Sequence, residues 1–181
     1  MTEEIIIAVF GGQGVLSMGK ILAYSGIMQD KEVSWMPSYG PEMRGGTANV
    51  TVILSDERVS SPVLNQYDTA IILNQQSLDK FEVQVKKGGS LFFDSNGITR
   101  EPERTDISVY RVDAAAEAAK MGSTRTFNMI MLGGYLKIKE LVSLDNVIKG
   151  LKKSLPERHH HTIPMNEEAI KRGMNIVSKI N

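Results

Sequence analysis

Two glycine-rich stretches hold the residues best suited to chemistry. Phe10-Gly11-Gly12-Gln13-Gly14-Val15 follows a short apolar run, and Tyr39-Gly40-Pro41-Glu42-Met43-Arg44-Gly45-Gly46 comes later. Glycines after a strand let backbone N–H groups approach an anion, and the helix that follows adds partial positive charge at its N-terminus. Arg44 supplies a planar guanidinium fork suited to phosphate or carboxylate, with Gly45 and Gly46 leaving approachable backbone beside it. Glu42 is placed either to hold Arg44 or to pair with a partner chain. Together the stretches suggest a cradle for a phosphate-bearing ligand. Their bland readings are a tight turn that packs helix on strand and a surface loop with an ion-paired arginine. Neither excludes the functional reading.

Standard nucleotide fingerprints are not met. After Gly12-x-Gly14, the dinucleotide pattern G-x-G-x-x-G needs a glycine where Ser17 stands. Gly14-x4-Gly19-Lys20 begins like a Walker A loop, but Ile21 replaces the Ser or Thr that holds magnesium. His159-His160-His161 are consecutive, so they do not converge on one ion, and they read as a solvated or interface turn before Pro164. No metal site is assigned. Asn128 opens an apolar stretch ending in Gly133-Gly134, which permits close helix packing within the chain or against another subunit. Asn128 itself either faces the first glycine turn or serves as a helix cap or core hydrogen-bonding group. Asp94, Asp113 and Glu42 are candidate acids without visible partners. No catalytic residue is assigned.

The elements that must position these residues follow from composition and pattern. With 181 residues the chain suits one domain, residues 1–181, large enough to bury a real core. Lys+Arg and Asp+Glu both number 21, so the excess positive charge expected of a nucleic-acid surface is lacking. The absence of cysteine excludes disulfides, thiolate nucleophiles and cysteine-ligated iron–sulfur clusters in this chain. The acidic start Met1-Thr2-Glu3-Glu4 is no signal peptide, and no apolar run reaches membrane-spanning length. Membrane contact is not expected, and a cytoplasmic location is.

Ile5 to Phe10 reads as a strand buried on both faces, and Val15 to Met28 as a helix with Val15, Met18, Leu22, Ser25 and Met28 on one side. Further strands are expected at 31–35, 47–54, 69–73, 90–94 and 107–112, with 59–61 pairing back on 47–54 as a hairpin. Helices are expected at 75–87, 114–120 capped by Asp113, 126–139, 144–154 and 166–179 capped by Asn166. The alternation implies a single Rossmann-like α/β domain: a mostly parallel central sheet, helices on both faces and an added antiparallel hairpin.

The combination of Gly11-Gly12-Gln13-Gly14-Val15, Tyr39-Gly40-Pro41-Glu42-Met43-Arg44-Gly45-Gly46-Thr47-Ala48-Asn49, Ser60-Ser61-Pro62 and Asn128-Met129 resembles the gamma subunit of 2-oxoacid:ferredoxin (acceptor) oxidoreductases. The resemblance runs over nearly the whole chain. The Gly-Pro-Glu-Met-Arg-Gly-Gly form and the segment from Leu155-Pro156 to Asn166 are most similar to the 2-oxoglutarate (ketoglutarate) type. Pyruvate, branched-chain and indolepyruvate types carry related loops. One departure is Val9, where the family usually shows glycine.

The resemblance implies a complex that oxidatively decarboxylates a 2-oxoacid, forms an acyl-coenzyme A (succinyl-CoA for 2-oxoglutarate) and reduces ferredoxin. It places thiamine diphosphate and magnesium on alpha and beta subunits, and iron–sulfur clusters on cysteine-bearing ones such as a ferredoxin-like delta subunit or ferredoxin. Alone, the gamma subunit is inactive and can form a homodimer. Its implied task is to bind coenzyme A through Gly11, Gly12, Gln13, Gly14, Tyr39, Arg44, Gly45, Gly46 and Asn128. The alternative within the same complex is a purely structural subunit whose glycine loops meet only the alpha subunit.

Overall fold

The computed structural model describes residues 1–10, 13–38 and 47–181, without the side chains of Phe10, Gln13 and Thr47. Strand β1 (Thr2–Phe10) carries the β-branched run that suits the middle of a sheet, and Ile5, Ile6, Ile7 and Ala8 are wholly buried. It pairs in parallel with β4 (Tyr67–Ile72) on one side and antiparallel with β3 (Thr47–Ser55) on the other. Beyond β4 lie β5 (Val85–Phe93) and β6 (Ser108–Arg111), both continuing in parallel. Antiparallel strands close the edges: β2 (Glu32–Ser38) beside β3, and β7 (Ser178–Lys179) beside β6. The order is β2-β3-β1-β4-β5-β6-β7, a mostly parallel sheet with its parallel block at the centre.

Alternation along β1 divides the core in two. Ile5 and Ile7 face helices α1 (Gln13–Met28), α4 (Phe127–Ile138), α5 (Leu144–Ser154) and α6 (Ile163–Ile176), through residues such as Met18, Leu22, Ile130, Leu151 and Ile170. Short α3 (Ala114–Lys120) joins that layer through Ala114 and Ala118. Ile6 and Ala8 face the single helix α2 (Gln75–Phe81), through Leu78 and Phe81. Helices thus lie on both faces, unevenly. On the thinner face, buried Glu82 fastens the 95–107 segment. Its carboxylate accepts from Arg100 Nη2 at 3.1 Å and from the backbone N–H of Arg104 at 3.1 Å.

The expected strands and helices are present, with four shifts. The partner of the 47–54 strand is β2, with Trp35 opposite Val52, and not 59–61. The expected 75–87 helix ends at Phe81. Val85 is buried opposite Tyr67, so the chain there joins β5, and Lys87-Gly88-Gly89 lies inside that strand. The last helix starts at Ile163, with Thr162 at its N-cap and Pro164 in its first turn, where proline's missing N–H costs nothing. Asn166 is therefore internal, and the helix stops at Ile176 so that β7 can form. Asp113 precedes α3 but makes no side-chain cap bond.

Helices α4 and α6 touch backbone to backbone. A Cβ on Gly133 would lie 2.8 Å from the carbonyl carbon of Ile170, and one on Gly173 would lie 2.8 Å from that of Ile130. The close packing expected of Gly133-Gly134 is therefore internal: Gly133 meets α6 and Gly134 meets Val112. Helix propensity alone would make Gly133→Ala and Gly173→Ala stabilising by about 1 kcal/mol. Backbone, unlike a side-chain tip, cannot move aside. Each variant is expected instead to lose about 1–3 kcal/mol in urea unfolding; a gain in stability would contradict the contact.

Candidate functional site at the glycine rim

The strand ends set the residues that flank the two glycine stretches side by side. Strand β1 ends at Phe10, directly opposite Thr47 of β3, and β2 ends at Ser38, opposite Asn49. Gly11 and Gly46 are thus each one peptide link from the same residue pair. Gly11, Gly12, Tyr39, Glu42, Arg44, Gly45 and Gly46 lie outside the described residues, as does the side chain of Gln13.

Gly14 is described, as the second residue of α1, and Asn128 is at its side. A Cβ on Gly14 would stand 2.6 Å from Asn128 Cγ and 2.8 Å from its Oδ1. Of the roles open to Asn128, the structure selects the one facing the glycine turn: the N-cap position of α4 belongs to Thr126. The Asn128 carboxamide is half-buried and has no hydrogen-bond partner among the described residues. Helices α1 and α4 both begin at this rim, and neither carries an acidic residue in its first turn. The first N–H groups of α1 have no intrahelical acceptor and leave a partial positive charge, whereas at the head of α4 the Phe127 N–H donates to Thr124 O of the preceding turn. The rim also lies at the boundary between β1 and β4, from which the chain connections diverge to opposite sides of the sheet. In open α/β sheets such a switch point leaves a crevice for ligands.

The same end of the sheet carries two of the candidate acids. Asp94 follows β5 and Asp113 follows β6, beside a cavity of about 670 Å³ lined also by Ser95 and Asn96. Ser95 Oγ donates to Asp113 Oδ1 at 2.5 Å, and Arg111 Nε lies 3.5 Å from Asp113 Oδ2. These partners were not visible in the sequence; the signal was only that both acids end strand runs. Asp94 is 2% exposed, and its Oδ1 accepts from the Asn96 N–H at 3.3 Å. Burial raises its carboxyl above the usual range, with the nearby Asp113 charge adding to the effect.

The histidines sit elsewhere, on the 157–162 turn before α6. His160 Nε2 lies 3.1 Å from Lys152 O and 2.9 Å from Leu155 O, and His161 Nδ1 lies 3.0 Å from Arg158 O. Among the described residues no group of three or more His, Cys, Asp or Glu is arranged to hold a metal, and no helix is long and apolar enough to cross a membrane.

A raised carboxyl value in the folded state means that this state binds a proton more tightly than the unfolded chain. Stability from Asp94 therefore falls as pH rises from about 4 through the raised value. Asp94→Asn keeps an acceptor oxygen and removes the charge. Its stability relative to the parent chain, read from denaturant unfolding, is expected to increase with pH across that window. A difference independent of pH would contradict the assignment.

The pyruvate ferredoxin/flavodoxin oxidoreductase family matches residues 4–176. The VorA subunit of ketoisovalerate oxidoreductase from Methanothermobacter thermautotrophicus is 44% identical over 127 residues, which are 70% of this chain and 26% of that protein. The chain thus spans 26% of the length of this longer relative. The KorC subunit of 2-oxoglutarate synthase from Methanocaldococcus jannaschii is 32% identical over 163 residues, 87% of this chain and 86% of that protein. Among solved structures, the gamma subunit of the keto/oxoacid ferredoxin oxidoreductase from Geobacter sulfurreducens has a TM-score of 0.81 at 28% identity, covering 97% of this chain and 96% of that one. A 2-oxoglutarate:ferredoxin oxidoreductase from Magnetococcus marinus, solved with 2-oxoglutarate, coenzyme A and succinyl-CoA bound, has a TM-score of 0.85 over 97% of this chain and 31% of that one. At 22% identity that likeness is one of fold. A family match across almost the whole chain accords with the resemblance carried by the glycine stretches: the chain belongs to the pyruvate ferredoxin/flavodoxin oxidoreductase family.

Proposed function

We propose that this chain is the gamma subunit of a cytoplasmic 2-oxoacid:ferredoxin oxidoreductase, and that it binds coenzyme A at the glycine rim. The observation that carries the proposal is the pairing of Phe10 with Thr47, from which one glycine stretch departs and at which the other ends. Coenzyme A brings a pyrophosphate and a 3′-phosphate. The glycine turn 11–14 and the first N–H groups of α1 supply neutral donors and partial positive charge for a phosphate. Arg44 adds a charge-assisted contact, with Gly45 and Gly46 beside it and Tyr39 shaping the loop. Gly14 has no Cβ to push the Asn128 carboxamide away, and that amide, without a hydrogen-bond partner among the described residues, is placed to meet the ligand. The chain has no cysteine, so iron–sulfur clusters held by thiolates belong on other subunits, with thiamine diphosphate and magnesium on the alpha and beta chains. The substrate is 2-oxoglutarate in this reading. The KorC relative matches over nearly its full length and supports it, while the higher identity to VorA makes a branched-chain 2-oxoacid the substrate to test beside it.

Calorimetry of coenzyme A against the assembled complex tests the ligand. Arg44→Ala is expected to weaken binding by about tenfold to a hundredfold, the loss of one charge-assisted contact. Gly14→Ala meets only the end of the Asn128 side chain, so it is expected to leave thermal stability nearly unchanged while weakening binding by about tenfold. Unchanged affinity in both variants would contradict the coenzyme A site and leave a structural subunit. Turnover of the complex on a panel of 2-oxoacids tests the substrate, with 2-oxoglutarate expected to give the highest kcat/KM.

A further inference from the structure

We propose that the lysine face of α5 is a docking surface for an acidic face of a partner protein. The inference rests on the reading of this chain as a subunit of a larger complex. Between Lys149 and His161, the cations Lys149, Lys152, Lys153 and Arg158 stand against one carboxylate, Glu157, in a chain whose net charge is zero. All of these cations are exposed, and none forms an ion pair among the described residues. Elsewhere Lys31, Lys86, Arg100, Arg104 and Arg172 are each held by carboxylates.

The lysines border a groove of about 460 Å³ between the ends of α1 and α5, to which Met28 and Leu155 add half-buried apolar surface. One wall is fixed by His160. Both acceptors near its Nε2 are carbonyl oxygens, so that nitrogen carries the hydrogen and ties the 157–162 turn to the end of α5. The dipole of α5 favours Lys152 and Lys153 in its last turn, but that effect fades within a turn and does not account for Lys149 or Arg158.

Two features select a protein over a small phosphate. The groove lies at helix C-termini, Met28 being the last residue of α1, and their partial negative charge opposes an anion set deep inside. Apolar surface ringed by charge is also the usual build of a protein interface, with acidic side chains meeting the lysine rim. The groove stands at the opposite end of α1 from Gly14, about 21 Å along the helix, so a partner here leaves the glycine rim open.

The test is association of the full chain with the thiamine-bearing subunits at low and high salt, for the parent chain and for the variants K149E/K152E/K153E and K149M/K152M/K153M. Circular dichroism and Tm check that both variants keep the fold, as exposed positions should. The parent chain is expected to assemble, more weakly as salt rises. The glutamate variant is expected to associate about tenfold more slowly or worse, with the salt dependence lost, and the methionine variant to fall between. If the parent chain fails to assemble at any salt, both the subunit reading and this inference fall. If all three assemble with the same rate and salt dependence, the subunit reading stands and the docking surface is overturned. Loss of inorganic polyphosphate binding with assembly unchanged would overturn it too, in favour of a phosphate site.

Discussion

Everything at the rim depends on the central position of β1. Ile5, Ile6, Ile7 and Ala8 are wholly buried, and their alternation feeds both cores at once. The same strand takes a parallel partner on one side and an antiparallel partner on the other. That mixed pairing has a consequence. In an all-parallel sheet the neighbour of β1 would enter at the opposite end. Because β3 runs the other way, its first residue, Thr47, meets the last residue of β1. Gly11 and Gly46 are therefore bonded to the two members of one strand pair, Phe10 and Thr47.

The second constraint is the position of α4. Glycines on α4 and α6 let the two helices pack backbone to backbone, and Gly134 fits α4 over Val112. At one end of α4, Asn128 meets Gly14. At the other, Lys139 lies 3.3 Å from buried Glu3, which also accepts from Thr69 Oγ1 at 2.5 Å. Helix α4 is thus held at both ends against β1 or the helix that follows it. Helix α1 shows the same economy on its other side: Gly19 and Gly26 sit under Val50 and Leu54 of β3, and Gly150 of α5 sits against Ser25. Small residues at these crossings set the distances that bring separate stretches of chain to one rim.

Much of this was legible in the amino-acid sequence. The run Ile5 to Phe10 has no polar face, so a central strand was the only economical place for it. Of the helix face Val15, Met18, Leu22, Ser25 and Met28, the first four are fully buried as the spacing required, and Met28 at the helix end is half-buried. What was not legible depended on long-range pairing. Trp35 and Val52 carry no mark that they face each other, and Val59-Ser60-Ser61 was an equally plausible partner by local pattern. The helix expected through Lys87 stops early because Val85 gains a sheet partner and burial, which outweighs helix propensity. The glycines and arginine of the two stretches announced anion chemistry, while the choice among the roles open to Asn128, its place against Gly14, came from the packing of α4. Asp94 and Asp113, read as isolated acids, proved to end neighbouring strands.

Hydrogen exchange on the assembled complex, with and without coenzyme A, tests the shared site most directly. If the two glycine stretches form one ligand cradle, coenzyme A should slow exchange together at residues 11–15 and 43–47 and in the first turn of α4, beyond any protection given by the partner subunits. Protection of those amides by the partner subunits alone, with no further change on adding coenzyme A, would contradict it.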